Sequence, residues 1–170
     1  LLASQGRALA EMYLNHLKHL NHAVGGNVEC SSQTEVGKSI VAIRQQAIEE
    51  NVLAIRTDSA NRRVVAETIR RLSALTVREL AYLAGPDSSA SDREALMWIA
   101  MCRYYAIVGE FAGEVLKKHY LTGNTHLDFE DYGRFIADKA TWHPELENIS
   151  EGTAKKLRSN LFKAMREAHL

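Results

Sequence analysis

Proline is scarce in this chain, limited to Pro86 and Pro144 in 170 residues. Proline removes an amide donor and clashes with the preceding turn, so little here interrupts helices. Cysteine is equally sparse: Cys30 falls in a polar loop and Cys102 in an apolar helical stretch. A small secreted chain more often carries a disulfide framework, so free thiols in a reducing cytoplasm are the expectation. Net charge is absent too, with 21 Lys and Arg balancing 21 Asp and Glu. Bulk charge therefore argues neither for nor against a nucleic-acid partner. The longest apolar candidate, residues 95–108 (ALMWIAMCRYYAIV), is interrupted by Arg103. It falls short of the roughly 20 residues that span a bilayer and reads as a buried helix. The N-terminus lacks a basic stretch followed by an apolar core, so no secretory signal is expected.

Apolar residues make up 46% of the sequence, enough for a core, and their spacing is helical. Residues 8–24 look helical up to Gly25-Gly26, a plausible stop. Ser32-x-x-Glu35 forms a capping-box pattern ahead of Val36, Ile40, Ile43, Ala47 and Ile48, which share one helix face. Thr57-Asp58-Ser59 supplies the next cap, before an apolar stripe of Val64, Val65, Thr68, Ile69 and Leu72. Thr76-x-x-Glu79 and Ser91-x-x-Glu94 are two further capping boxes, separated by a polar linker at 87–91.

Residues 92–120 read as one long central helix, apolar around much of its circumference, with Gly109 and Gly113 marking a close helix contact. Asp128 caps a following helix, Pro144 suits a first turn, and Ser150 opens a last helix with Ala154, Leu157, Leu161, Met165 and Ala168 on one face. No stretch alternates like a strand. The expected fold is all-α: two helix-turn-helix-like halves, residues 1–86 and 87–170, around the long central helix.

Charge is distributed unevenly along this neutral chain. Residues 52–72 carry five Arg against Asp58 and Glu67, a net of +3, and residues 151–170 carry five basic residues against Glu151 and Glu167, again +3. Residues 127–150 carry a net of −4. The two basic stretches also share a layout. A shift of 93 residues places Leu53 on Leu146, Thr57 on Ser150, Arg62-Arg63 on Lys155-Lys156, Val64 on Leu157, Ile69 on Phe162 and Leu72 on Met165. A hydroxyl-rich turn followed by a basic amphipathic helix resembles the second half of a helix-turn-helix, and such helix starts suit phosphate oxygens. It is equally what any helical domain offers, with paired cations on a solvated face.

Catalytic patterns are missing. There is no Gly-x-Ser-x-Gly, no phosphate-cradling glycine loop after a strand, no Cys-x-x-Cys and no His-Glu-x-x-His. His16, His19 and His22 share a helix face, but a dedicated metal site usually recruits a further ligand, so exposed polar positions are expected and no metal. Asp128, Glu130 and Asp131 suit a helix N-terminus, where negative charge is favourable. Glu110 and Glu114 are the better buried-acid candidates, with Lys117 and Lys118 near enough to neutralise them. No enzyme activity and no cofactor are expected.

Several stretches, taken in order, resemble the BrxA family of bacterial BREX (bacteriophage exclusion) defence clusters. They are Glu50-Asn51-Val52-Leu53, Thr57-x-Ser59-x-x-Arg62-Arg63, Arg71-Leu72, the helix from Ala95-Leu96 to Phe111, Leu127-x-Phe129, Trp142 to Pro144, and Thr153-x-Lys155-Lys156-Leu157-Arg158. The resemblance runs from about Gly6 to the C-terminus. It implies a cytoplasmic, all-helical, non-catalytic protein that binds double-stranded DNA beside other BREX components. Some family members have been labelled membrane proteins, for which this sequence gives no support. The family's likeness to RNA-binding antitermination factors keeps RNA open. The chain departs from the pattern in its neutral pI and in lacking a wing hairpin after either basic helix.

With the repeated basic helix, the resemblance makes Arg56, Arg62, Arg63 and Arg70 phosphate contacts from one half. Lys155, Lys156 and Arg158 would act from the other, helped by Ser59, Ser150 and Thr153. A competing expectation is a protein–protein adaptor, with exposed aromatics such as Trp142 or Tyr120 carrying affinity.

Overall fold

A computed structural model describes the backbone of residues 2–24 and 33–170, and side chains except those of residues 18–24, 33–39 and Glu147. The expected Gly25-Gly26 stop, the Ser32–Glu35 capping box, Cys30 and the side chains of His19 and His22 lie outside the described residues. The helices are α1 (Ala3–Val24), α2 (Gln33–Glu49), α3 (Asp58–Leu72), α4 (Val77–Ala84), α5 (Ala90–Tyr104), α6 (Ala106–Phe111), α7 (Lys117–Leu121), α8 (Phe129–Ala140), α9 (Pro144–Glu147) and α10 (Glu151–Glu167), with one π-helical turn at Ala112–Leu116. Among the described residues there is no strand. The all-α expectation is met. The chain divides into two compact units, Leu1–Ala100 and Met101–Leu170, so the division falls inside α5 rather than at 86/87.

In the first unit α1 packs on α2, α3 and α4, and α2 packs on α3. The core is built from Leu9, Ala10 and Tyr13 of α1, Ile43, Ala47 and Ile48 of α2, Val65, Ile69 and Leu72 of α3, and Leu80 and Leu83 of α4. Helix α1 begins five residues before the expected start, and its Gly6 explains the approach of α5: a Cβ there would lie 2.6 Å from Met97 Sδ. The buried Asn61 amide donates to the Ile48 carbonyl at 3.2 Å, tying the start of α3 to the end of α2. The 50–57 connection between them is not helical. Asn51 and Ala54 adopt positive φ (45° and 49°), and the Asn51 side chain bonds both the N–H and the C=O of Ile55.

The expected linker at 87–91 is instead a fastened corner. Ser88 is buried and its hydroxyl donates to the carbonyls of Leu83 and Gly85. The cap of α5 is Ser89, not Ser91. Asp92 accepts from the Ser89 N–H at 2.9 Å, the Ser89 hydroxyl accepts from the Asp92 N–H at 3.1 Å, and Tyr82 donates to the same carboxylate at 2.9 Å. Thr76–Glu79 forms the full reciprocal box that the sequence announces. Such caps satisfy helix N–H groups that lack an internal partner, each contributing about 1 kcal/mol.

The long helix expected over 92–120 is broken. Tyr105 leaves the helical region (φ −104°, ψ 102°), and a π turn follows at Ala112–Leu116. Gly109 makes the break compact, because a Cβ there would stand 2.5 Å from the Cys102 carbonyl oxygen. Gly113 has nothing within 4 Å of its Cβ position and marks no contact, contrary to expectation. Nor is the segment buried all round: Met97, Ala100, Met101, Val108 and Phe111 are covered, while Ile99, Tyr104 and Ile107 stay exposed.

In the second unit Phe111 has no exposed surface and meets Phe135 edge-on at 5.2 Å and Tyr132 at 5.9 Å. Tyr132 in turn meets Phe162 of α10 at 6.5 Å, and Phe129 meets Phe162 at 4.8 Å. Lys139 of α8 binds Glu110 at 2.8 Å and Glu114 at 2.6 Å. Those two acids are therefore neutralised from α8 rather than by Lys117 and Lys118, and Glu114 is exposed. On α10 the covered residues are Leu161, Ala164 and Met165, while Leu157 stays 47% exposed at the edge of the expected apolar face.

Two substitutions separate the glycines. Gly109→Ala drives a methyl into a backbone carbonyl, and overpacking of this kind costs about 1–3 kcal/mol. Gly113→Ala meets open space and gains up to about 1 kcal/mol of helix propensity. Thermal melts of the two variants should shift in opposite directions, and equal shifts would contradict the role given to Gly109.

Candidate nucleic-acid interface

Helices α3 and α10 start 93 residues apart, as the repeat requires, and both are basic on the outside and apolar inside. Their caps differ. Thr57 has the extended backbone of an N-cap without a side-chain bond. The Ser150 hydroxyl accepts from the Thr153 N–H at 3.3 Å and lies 2.9 Å from the Thr153 hydroxyl. The segments ahead of them differ as well: α9 precedes the second helix, whereas the matching Val52–Ile55 stretch has no helical turn.

On α3, Ser59, Arg63 and Arg70 are spaced by four and seven residues, so they follow one exposed line. Arg62 lies on the flank, bonded to Asp58 at 2.8 Å, with both side chains more than half exposed. An exposed pair of this kind contributes less than about 1 kcal/mol and competes weakly with an external anion. Arg70 stands 3.8 Å from Glu67, whereas Arg71, only 12% exposed, holds the same carboxylate at 2.9 Å. Arg71 therefore works within the fold and Arg70 faces solvent. Arg56 and Arg63 are exposed, and among the described residues neither has an ion-pair partner.

On α10 the cations divide in two. Lys155, Lys156, Lys163 and Arg166 are exposed, and Lys155, Ser159 and Arg166, at intervals of four and seven, lie on one line opposite Leu161, Ala164 and Met165. Arg158 is placed differently, with its guanidinium 4.3 Å from the centre of the Phe129 ring, in cation–π range. Ser150 and Thr153 are exposed but engaged with each other. Sequence reasoning counted Lys163 and Arg166 in the charge of the stretch without placing them in the site. Their spacing of seven from Lys156 and eleven from Lys155 was the available signal. The structure thus brings Ser59, Arg63 and Arg70 together on one helix, and Lys155, Lys156, Lys163 and Arg166 on another.

Two acids of the stretch that separates these helices in sequence, Asp128 and Asp131, are structural. Asp128 accepts from the N–H groups of Glu130 and Asp131, and Asp131 accepts from the Asp128 N–H at 3.0 Å. That backbone bond, followed by Arg134 at 2.6 Å, holds the Asp131 carboxyl below the ordinary aspartate value. Desolvation pushes the half-buried Cys102 thiol up to about 11, so it remains a thiol at neutral pH. Among the described residues no three His, Cys, Asp or Glu side chains gather to hold a metal ion. No helix among them is long and apolar enough to cross a membrane.

Comparison with known proteins gives a consistent name. The BrxA family model matches residues 28–170. A protein called BREX protein BrxA from Escherichia coli O9:H4 (strain HS) is 24% identical over 125 residues, which cover 74% of this chain and 58% of that protein. Another of the same name, from Bacillus cereus (strain H3081.97), is 22% identical over 126 residues, 74% of this chain and 62% of its own length. The chain thus spans about three fifths of the length of these relatives. No solved structure matches it.

A carboxyl whose folded-state pKa is depressed stabilises the fold above its unfolded value, and that contribution is lost as pH falls through the folded value. The stabilities of the parent and an Asp131→Asn variant should therefore differ near neutrality and converge as pH falls below about 3.8, the ordinary value of this group. A gap that stays constant across denaturant titrations from pH 7 to pH 2.5 would contradict the assignment.

Proposed function

The chain belongs to the BrxA family, and from that premise we propose that it is a non-catalytic accessory protein of a BREX phage-defence system that binds duplex DNA through its phosphates. The observation that carries the reading is the outward line of cations on α10, with a second on α3, in a protein of zero net charge. Phosphate binding draws on local potential rather than on overall pI. In this reading α3 and α10 take the place of the second helix of a helix-turn-helix. Arg56, Arg62, Arg63 and Arg70 act from α3 and its approach, with Ser59 beside them. Lys155, Lys156, Lys163 and Arg166 act from α10. Ser150 and Thr153 organise its first turn, and Arg158 braces Phe129 and reaches phosphate from the flank. Contacts of this kind position a protein without reading sequence.

One observation favours a second reading, an adaptor for another BREX component: Trp142 is 82% exposed beside α9. Tryptophan is enriched among residues that dominate protein interfaces.

Binding to a random-sequence 20-base-pair duplex at several salt concentrations separates the two. The affinity of the parent should fall steeply with salt, and a Lys155→Ala, Lys156→Ala, Lys163→Ala variant should lose up to about 2.7 from the log–log slope, at about 0.9 per phosphate contact. An Arg63→Ala, Arg70→Ala variant should lose up to about 1.8. All of these side chains are exposed, so the variants should fold. Salt-insensitive binding, or equal binding by every variant, would refute the phosphate reading. A protein partner lost on Trp142→Ala and retained after nuclease treatment would establish the adaptor instead. Stronger binding to single-stranded or structured RNA than to duplex DNA would change the nucleic acid assigned.

A further inference from the structure

We propose that a cleft beside the C-terminal end of α10 receives one unstacked base of a nucleic-acid strand whose phosphates follow the cations of that helix. This deepens the phosphate-binding reading and rests on it. The cleft has a volume of about 790 Å³, within the roughly 300–1,000 Å³ of small-ligand clefts. Leu116, Leu127, Phe162 and Met165 give it apolar walls. Its polar lining is one-sided. Arg166 and three histidines, at 119, 126 and 169, contribute; no acidic side chain among the described residues lines it, although His119 stands 3.5 Å from the Asp131 carboxylate behind it. An apolar cleft with the Arg166 guanidinium in its lining suits an aromatic group attached to an anion, which is the chemistry of a nucleotide.

Three further observations select the occupant. Tyr120, on the cleft wall, is 85% exposed, so its ring stands outside the aromatic packing of the unit and offers a stacking platform. Bases stack on such rings with little regard to sequence. Asn124 holds the loop with its Oδ1, which accepts from the His126 N–H at 3.1 Å, leaving an amide of the kind that reads base edges. Arg166 belongs both to the cleft and to the line through Lys155, three helical turns and about 16 Å away. The row of phosphate-binding cations thus runs into the cleft. An apolar peptide would use the walls and leave this row idle, and a fully paired base offers no free face to Tyr120.

The test uses the full chain and two DNA duplexes, one perfectly paired and one with a single unpaired 2-aminopurine bulge. The parent should bind the bulged duplex about fivefold or more tightly, with the 2-aminopurine fluorescence quenched by stacking. Tyr120→Ala, at an exposed position that should not disturb folding, should bind both duplexes at the affinity of the parent for the paired one. Lys155→Ala, Lys156→Ala should weaken both and keep the preference. Equal binding of the two duplexes by the parent, with lysine dependence intact, would overturn the cleft proposal and leave the phosphate reading standing. A preference that survives Tyr120→Ala would overturn it too, since the base would sit elsewhere. No binding of either duplex would remove both readings.

Discussion

The ring of Phe111 meets Phe135 edge-on and Tyr132 at a tilt, with no surface left to water. Through Tyr132 and Phe162 the same aromatic chain reaches α10 and decides which side of that helix faces inward. Leu161, Ala164 and Met165 are buried as a consequence, and Lys155, Lys156, Lys163 and Arg166 are left outside. Aromatic pairs in these orientations contribute beyond the area they bury, by about 0.5–1.5 kcal/mol each. Lys139, clamped between Glu110 and Glu114, fastens α8 beside the same ring. The charged face of α10 is therefore a product of apolar packing on its other side.

Neutrality of the whole chain coexists with this local charge because several acids are engaged in caps and in ion pairs inside the fold. Asp128 and Asp131 cap α8, Asp92 holds the corner ahead of α5, and Glu67 holds Arg71. Three acids do stand beside exposed cations, Asp58 at 2.8 Å from Arg62, Glu67 at 3.8 Å from Arg70 and Glu167 at 3.8 Å from Lys163, but surface pairs of this kind contribute less than about 1 kcal/mol and compete weakly with phosphate. Arg71 and Arg158 show the converse: cations that the fold itself uses, one on Glu67 and one on the Phe129 ring.

Much of this was legible in the sequence. Local rules hold where the partner lies within one turn, as in the Thr76–Glu79 box, the Asp128 cap, Pro144 at a first turn and Ser150 at the start of α10. They fail where the deciding partner is distant. Residues 92–120 read as one helix because no proline stands among them, yet Tyr105 leaves the helix and Gly109 seats against a carbonyl seven residues back. Ser91-x-x-Glu94 matches a capping box as well as Ser89-x-x-Asp92 does. The choice fell to the frame in which Tyr82 also reaches Asp92 and Ser88 is buried. The exposure of Arg63, Arg70, Lys155 and Lys156 was legible from periodicity. The seat of Arg158 over the Phe129 ring was not, because that ring lies 29 residues earlier in the chain.

The most direct test of the central claim is a lysine-modification footprint read by mass spectrometry, with and without saturating duplex DNA. The account predicts that Lys155, Lys156 and Lys163 lose reactivity on binding while the exposed Lys117 and Lys118 keep theirs. Unchanged reactivity at the three α10 lysines while the duplex is bound would contradict it.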